Sequence, residues 1–287
     1  MDTITEQGSI VVGFDGSSSS TVALEWAARR AVRLNKPLIV VHAAGDPARS
    51  SITLGTTETR RVLMRAARRV AEQGAQVIRR VVPSLDVTVR TPLEDPRQTL
   101  LELADSASLV VVGTKGHGPV HRLLLGSVST AVSEYATSSV AVVRPVQSDA
   151  RHGVVVGVDG SVTSRAALDI AFELASLDGL PLHVVHSWAE VDLFVDRFSY
   201  EQRQEHADAH ERLLAEAVAG YAEKYPDVTV TRDTADGNPI QVLLDLSQHA
   251  AVVVVGSRGL TGLQAVLGSV GRDVTARASC TVVVARA

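Results

Sequence analysis

Glycine and small polar residues in the first half of the chain form two clusters suited to anion binding. Gly13 and Asp15 follow one run of β-branched residues, Gly113 to Gly116 follows another, and Gly126 to Val128 opens a segment of helical periodicity. Glycine lets backbone N–H groups approach an anion without a Cβ in the way. The first N–H groups of a helix, at the positive end of its dipole, also favour a phosphate. The two clusters therefore predict a phosphate site.

For several side chains near these clusters, the sequence allows two different roles. Ser127 can supply a hydroxyl to the anion or act as the N-cap of its helix. His42, at the end of the second predicted strand, and its counterpart His186 can be catalytic bases or partly buried histidines bonded to the backbone. His117 and His121 lie between the glycine clusters, where they contact phosphate or occupy an exposed loop.

The same motifs recur in the second half of the chain. The segment 10–17 recurs at 154–161 with an offset of 144 residues, 110–116 recurs at 253–259 with an offset of 143, and 125–128 recurs at 267–270 with an offset of 142. Preserved order with small changes in spacing indicates a duplicated domain. We expect a first domain over 1–147 and a second over 152–287, joined by a polar linker at 145–152.

Each copy alternates short β-branched runs with longer segments of helical period. In the first copy the predicted strands are 10–14, 38–43, 86–91, 109–113 and 140–143, and the predicted helices are 18–34, 57–81, 96–105 and 126–136. Continuous apolar strands separated by helices predict a parallel sheet covered on both faces. The expected fold class is α/β, with two tandem doubly wound domains. Each is a five-stranded parallel sheet of order 3-2-1-4-5, which makes strands 1 and 4 neighbours and places a ligand crevice between them.

Composition narrows the possible partners and locations. The net charge is −4 and aromatic residues make up 3% of the chain, so a nucleic-acid partner lacks both its basic footprint and its stacking platforms. No apolar run approaches the roughly 18 residues of a membrane span. A start without a basic, apolar leader and a single cysteine, Cys280, favour a cytoplasmic protein.

Charge is divided unevenly between the two halves. Residues 1–147 carry 17 basic and 13 acidic residues, and the remainder carries 11 and 19. Seven of the 17 lie on one predicted helix, at Arg60, Arg61, Arg65, Arg68, Arg69, Arg79 and Arg80. They form either a solvated helix face or a surface for an acidic partner.

The pattern Gly113-x2-Gly116-x9-Gly126-Ser127, with a first strand that leads into Phe14-Asp15-Gly16-Ser17, resembles the ATP-binding type of universal stress protein. The resemblance covers both halves and so suggests a tandem member of the family. It implies an adenine nucleotide bound without a Walker A loop, in a regulatory role. By position it places the phosphates at Gly113, Gly116, Gly126, Ser127 and Val128, Asp15 near the ribose or a divalent ion, and the adenine at the backbone around His42 and Ala43.

The candidate site in the first copy comprises Gly13, Asp15, Ala43, Gly113, Thr114, Gly116, His117, Gly126, Ser127 and Val128. The candidate site in the second copy comprises Gly157, Asp159, Ser187, Gly256, Ser257, Gly259, Gly268, Ser269 and Val270. Eight residues separate Gly259 from Gly268, where the family pattern has nine. The missing residue comes either from the stretch 260–262, where Gly262 can absorb it, or from the start of the helix at Gly268, which would rotate Ser269 away from the phosphates. We expect the first outcome, and two nucleotides per chain with the second held more weakly.

The predicted function is an ATP-binding regulatory protein that senses or sequesters adenine nucleotide in the stress response, with Mg²⁺ as a possible companion ion. We expect a protein partner that receives the signal, a homodimer, no catalytic residues and no resident metal site. A slow ATPase or phosphotransferase is one alternative, although no Walker A sequence is present. An interaction module with vestigial sites is the other.

Overall fold

The computed structural model describes residues 7–45, 57–116, 125–145, 152–188, 200–259 and 267–287. Within it the chain divides into two compact units, Met1–Pro145 and Val146–Ala287.

The first unit alternates strands and helices along its whole length. Its elements are β1 (Ile10–Gly13), α1 (Ser18–Arg33), β2 (Leu38–Val41), α2 (Thr57–Val81), β3 (Val87–Arg90), α3 (Pro96–Ala104), β4 (Leu109–Gly113), α4 (Ser127–Tyr135) and β5 (Val140–Val143). All pairings within its sheet are parallel, in the order β3-β2-β1-β4-β5.

The second unit repeats this plan with one extra helical turn. Its elements are β6 (Val154–Gly157), α5 (Val162–Asp178), β7 (Leu182–Trp188), α6 (Tyr200–Ala217), α7 (Tyr221–Lys224), β8 (Val230–Asp236), α8 (Pro239–Leu246), β9 (Val252–Gly256), α9 (Ser269–Arg277) and β10 (Thr281–Ala285). The parallel order β8-β7-β6-β9-β10 is again 3-2-1-4-5 when its strands are counted from the start of the unit. The predicted α/β fold class and strand order are confirmed.

The inner strands are buried on both faces because helices cover both, whereas the outer strands β3 and β8 are partly exposed. In the first unit, α3 and α4 pack on one face, where Leu100 and Val132 meet Val11 and Val110. Helices α1 and α2 pack against the same strands from the other side. The short Val-rich strands β1, β2, β4 and β5 suit this environment, since neither of their faces reaches water.

The helices that border the cavities begin in two ways, two at a serine cap and two at a glycine. Ser17 caps α1, with its hydroxyl oxygen accepting a hydrogen bond from the Ser20 N–H, and Ser161 caps α5 in the same way through the Ser164 N–H. Helices α4 and α9 instead follow Gly126 and Gly268, which have no side chain to form a cap. The first turns of α4 and α9 therefore leave their N–H groups for another partner.

Candidate nucleotide sites

A cavity of about 270 Å³ lies at the carboxyl ends of β1 and β4, the neighbouring strands whose connections leave to opposite faces. Its lining contains eight of the ten predicted residues: Gly13, Asp15, Ala43, Gly113, Gly116, Gly126, Ser127 and Val128. Crevices of this kind are where open α/β sheets bind ligands. The remaining two are Thr114, which is absent from the lining, and His117, which lies outside the described residues, as does His121.

The loop after β4 is held by the start of α1. The Ser19 hydroxyl oxygen accepts hydrogen bonds from the backbone N–H groups of Thr114 (2.8 Å) and Lys115 (3.3 Å), and the Ser17 hydroxyl lies 3.4 Å from the Lys115 carbonyl oxygen. The Thr114 carbonyl oxygen in turn accepts a hydrogen bond from the Gly126 N–H at 2.7 Å. Thr114 therefore contributes by fixing the loop to α1 and to the start of α4.

Gly113 is a glycine because of packing. A Cβ added there would lie 2.8 Å from both the carbonyl carbon and the carbonyl oxygen of Ser19. Real Cβ atoms do not approach backbone atoms so closely, so α1 would have to move. The absence of a side chain at Gly113 thus lets α1 come close enough for Ser19 to clamp the loop through its hydrogen bonds. From the sequence, this glycine is expected instead to leave room for an anion.

The two carboxylate oxygens of Asp15 have different neighbours. One oxygen, Oδ1, accepts a hydrogen bond from the Ser17 N–H at 3.0 Å and fixes the turn between β1 and α1. The other, Oδ2, lies over Gly116, where any Cβ would collide with it. Gly116 therefore leaves the carboxylate room at the edge of the cavity, facing the loop.

The first turn of α4 faces the cavity through Ser127, Val128 and Ser129. Gly126 is the N-cap, with φ −74° and ψ 160°, and the cap forms no side-chain hydrogen bond. The reading of Ser127 as the N-cap was wrong, because Ser127 already has helical geometry. Its hydroxyl, with the N–H groups of the first turn, remains for a ligand.

His42 lies at the opposite end of the cavity, beside Val41 and Ala43. Its Nδ1 is 2.8 Å from the Phe14 carbonyl oxygen, which can only accept, so Nδ1 carries the hydrogen. This is the backbone-bonded histidine that the sequence offered as one of its two readings. The bond between β2 and the end of β1 holds that wall of the cavity in place.

The second unit contains a matching cavity of about 330 Å³ at the carboxyl ends of β6 and β9. Predicted residues in its lining are Gly157, Asp159, Ser187, Gly256, Gly259, Gly268, Ser269 and Val270. Ser257 is the exception; it is buried, and its carbonyl oxygen accepts a hydrogen bond from the Gly268 N–H at 2.8 Å. Ser257 therefore has the same position in the loop as Thr114.

The shorter loop of the second copy leaves the helix start in place. Gly268 caps α9 with φ −62° and ψ 162°, close to the values at Gly126. An added Cβ at Gly126 or Gly268 would in each case lie 3.9 Å from the N atom of the second loop glycine, Gly116 or Gly259. Gly262, which is expected to absorb the missing residue, lies outside the described residues. The alternative in which Ser269 is rotated away from the cavity is wrong.

Sequence reasoning missed the two basic side chains of the cavities. Lys115 lines the first and Arg258 lines the second, each between the paired glycines of its loop. The sequence alone could have indicated them, because a basic residue recurs at the same position in both copies and a cation suits an anionic ligand. Positive charge extends beyond the loop in the second unit, where burial, together with the charge of Arg258, lowers the pKa of Arg286.

The two units also differ in side chains, in and near the cavities, that the repeat does not preserve. The Ser129 hydroxyl donates to the Gly113 carbonyl oxygen at 2.6 Å, whereas the second copy has Gly271 at this place. The second copy adds a histidine pair, with His186 Nε2 2.9 Å from His210 Nδ1, and the His210 ring stacks on Trp188 at 4.6 Å. His186 Nδ1 is 2.7 Å from the Val158 carbonyl oxygen, so His186 too is bonded to the backbone.

The fold and the two cavities define a tandem doubly wound α/β protein with a ligand crevice at each topological switch point. The model of the universal stress protein family matches residues 8–144 and 151–286. The chain belongs to the universal stress protein family, which confirms the resemblance seen in the sequence, and the two matches give it the tandem organisation.

Its relatives share this length. Universal stress protein Rv2005c of Mycobacterium tuberculosis is 36% identical over 296 residues, and a universal stress protein of Mycolicibacterium smegmatis is 36% identical over 298; the alignments cover 98% of each chain. The solved structure of a universal stress protein from Archaeoglobus fulgidus is similar in fold, with a TM-score of 0.71 at 19% identity and 99% of each chain covered.

Within the parts of the chain that the structure describes, no helix is long and apolar enough to cross a membrane. Over the same residues, no three His, Cys, Asp or Glu side chains come together as a metal-binding group.

Proposed function

We propose that each unit binds ATP and that the chain is a regulatory protein of the stress response, which senses or sequesters adenine nucleotide. The observation that carries this proposal is the repeated cradle: a glycine loop clamped to one helix and hydrogen-bonded to the uncapped start of another. The first residues of helices α4 and α9 line the cavities, and their first N–H groups have no side-chain cap. A helix start of this kind binds phosphate through both its N–H groups and its dipole.

The phosphates would lie between the loop and the helix start. Lys115 in the first cavity and Arg258 in the second would add a cation to the backbone donors. Charge-assisted hydrogen bonds are shorter and about twice as strong as neutral ones. An anion with several negative charges fits this set of donors better than a neutral ligand does.

The base would lie against the opposite wall. In the first cavity the backbone of His42 and Ala43 offers peptide groups, while Val41 and Leu100 supply apolar surface. In the second, Val185 and Leu243 supply that surface, and the Ser187 hydroxyl is already bonded to the Gly237 carbonyl oxygen at 2.7 Å. An apolar slot at one end and an anion cradle at the other suit a nucleotide.

A divalent ion would accompany the phosphates at the aspartates. Mg²⁺ is commonly held by one or two carboxylates together with substrate phosphates. Asp15 Oδ2 and Asp159 Oδ2 each lie beside the second glycine of their loop, and the Oδ1 of each is used by its own turn. Asp15 and Asp159 are the carboxylates that would hold such an ion beside the phosphates.

A sharp test removes one N–H donor from each helix start without disturbing the helix. Proline is favoured at the first helical position, and the extended geometry of Gly126 and Gly268 suits a residue that precedes proline. Ser127→Pro and Ser269→Pro each delete an N–H and a hydroxyl that face a cavity. Matched controls are Ser18→Pro and Val162→Pro at the first positions of α1 and α5, neither of which lines a cavity.

Calorimetric titration with ATP and Mg²⁺ should give two sites per chain, the second weaker. Each serine variant should lose one site or weaken it by about tenfold, the loss of roughly one charge-assisted hydrogen bond. The controls should keep both sites. Unchanged binding in the double variant Ser127→Pro/Ser269→Pro would remove the helix starts from the proposal, and absence of any binding by the native chain would favour an interaction module.

The same preparations test the regulatory assignment. We expect ATP to remain intact over the time of the titration. Turnover above about 1 s⁻¹, within the ordinary range of enzymes, would assign the cavities to an ATPase or a phosphotransferase instead.

A further inference from the structure

Helix α2 has a strongly basic exposed face. Its sequence contains seven arginines against two glutamates. The side chains of Arg61, Arg65 and Arg68 are 68%, 70% and 74% exposed. Like charges three or four residues apart on a helix repel one another unless an opposite charge meets them.

The ion pairs within α2 leave most of this charge unbalanced. Glu58 contacts Arg61 at 3.8 Å and Arg65 at 3.3 Å, while Glu72 contacts Arg68 at 3.9 Å and Arg79 at 3.3 Å. Two carboxylates thus serve four guanidinium groups. Exposed pairs of this kind contribute little to stability. They do not account for seven arginines on one helix.

The same helix exposes an unusual share of apolar surface. Seven large hydrophobic side chains are exposed in the described part of the chain, and four of them lie on α2: Val62, Met64, Val77 and Val81. Arginine and methionine are enriched at protein interfaces, where apolar contacts are bordered by charge. Val62 and Met64 lie within one turn of Arg61 and Arg65 and give that end of α2 the composition of a docking surface, whereas Val77 and Val81 lie on the side of the helix away from Arg61.

The counterpart of α2 in the second unit has the opposite charge. Helix α6 contains five acidic residues against two arginines. Four of the acids are exposed along it, at Glu205, Asp208, Glu211 and Glu216, with the small residues Ala209 and Ala215 between them. Small side chains let a partner helix approach, and the carboxylates then meet its guanidinium groups.

We propose that the α2 face of one copy docks onto the α6 face of a second copy of this chain. Charge complementarity selects this occupant, since the basic face on one unit and the acidic face on the other are carried by the same molecule. At 1.5 Å per residue, α2 and α6 present about 37 Å and about 27 Å of helix. A reciprocal contact closes a two-fold dimer, and a one-way contact extends into longer assemblies. The proposal is independent of nucleotide binding.

Sedimentation and light scattering of the full chain, over a range of concentrations, measure the association. We expect species larger than the 30.4 kDa chain at about 0.05 M salt, and weaker association at about 0.5 M salt, where screening is stronger. A single 30.4 kDa species at every concentration and salt would overturn the proposal.

Charge reversal then identifies the two faces. Arg61→Glu/Arg65→Glu should raise the dissociation constant by at least about tenfold, because two attractions become repulsions. Asp208→Arg/Glu211→Arg should do the same. A chain with all four substitutions should recover association, since the two faces have exchanged signs. The matched control Arg29→Glu/Arg277→Glu reverses two exposed arginines outside α2 and should associate like the native chain.

Circular dichroism and thermal melting of each variant show whether it is folded, and the recovery in the fourfold variant keeps the test decisive even if one double variant is less stable. Native association in Arg61→Glu/Arg65→Glu, or no recovery in the fourfold variant, would overturn the proposal. The proposal would also be overturned by a monomer that binds duplex DNA through Arg61 and Arg65, since that result would make the basic face a nucleic-acid surface.

Discussion

The cradles of the two units agree in backbone geometry and differ in side chains. The bond from Gly126 N–H to Thr114 O is 2.7 Å, and its counterpart from Gly268 N–H to Ser257 O is 2.8 Å, although the second loop is one residue shorter. Around this shared frame, Lys115 is replaced by Arg258 and Ser129 by Gly271. The backbone frame is therefore the same in both units, and the side chains around it are where the two cavities differ.

The hydrogen bonds that clamp the loop to the helix also run in opposite directions in the two units. Ser19 accepts hydrogen bonds from the Thr114 and Lys115 N–H groups. Its counterpart Thr163 instead donates its hydroxyl to the Arg258 carbonyl oxygen. The helix and the loop come together in both units through a different exchange of donors and acceptors, which shows that the close approach matters more than the bond that secures it.

The largest expected effect comes from closing the space at the first loop glycine. Gly113→Ala places a Cβ 2.8 Å from backbone atoms of Ser19, whereas Gly256→Ala places one at 3.0 and 3.1 Å from backbone atoms of Thr163. We expect Gly113→Ala to lower the free energy of unfolding of the first unit by about 3 kcal/mol and Gly256→Ala to lower that of the second by about 2 kcal/mol.

The two tryptophans allow each unit to be followed separately during urea unfolding. Trp26 lies in the first unit and Trp188 in the second, so fluorescence in Trp188→Phe and Trp26→Phe backgrounds reports one unit at a time. Gly126→Ala is the matched control, since its nearest contact is 3.5 Å and it should cost less than about 1 kcal/mol. Equal stability of Gly113→Ala and the native chain would show that α1 yields easily at Ser19.

A smaller effect is expected at the cations of the loops. Arg258→Ala should weaken the second site for ATP by about tenfold and Lys115→Ala the first by roughly fivefold, because the guanidinium can hold a phosphate in two hydrogen bonds and the ammonium acts as a point charge. Titrations at two salt concentrations should show the weaker salt dependence of the variants. Arg258→Lys should lie between Arg258→Ala and the native chain, and identical affinities for all of these would mean that both side chains point away from the phosphates.

The smallest effect concerns the hydroxyl that only the first unit contains. Ser129→Ala removes the 2.6 Å hydrogen bond to the Gly113 carbonyl oxygen and should lower the free energy of unfolding of the first unit by about 1 kcal/mol. Its effect on ATP binding should be within twofold, since the second cavity has the same frame without this hydroxyl. A loss of ATP binding as large as that of Ser127→Pro would show that Ser129 contacts the ligand directly.

The sequence by itself determined the duplication, the order of strands and helices, and the place of both cavities. These are local or periodic properties: β-branched runs of four or five residues form buried strands, and glycines at strand ends mark the carboxyl edge. The predicted helix at 57–81 agrees with α2, and the predicted start of α4 differs by one residue. The cytoplasmic location, the homodimer and the regulatory partner remain predictions.

Only the tertiary structure decided which atoms hold the sites together. Ser17 and Ser19 lie nearly 100 residues from the loop that they hold, and nothing in the serine run from Ser17 to Ser20 names that partner. The sequence left Ser127 as a phosphate contact or an N-cap, and His42 as a base or a backbone-bonded histidine. In the structure the helix begins after Gly126, and the His42 ring is bonded to the Phe14 carbonyl oxygen. Local pattern specifies elements because it acts along the chain, whereas a hydrogen bond between distant segments depends on how closely two backbones approach, and that distance is set by packing.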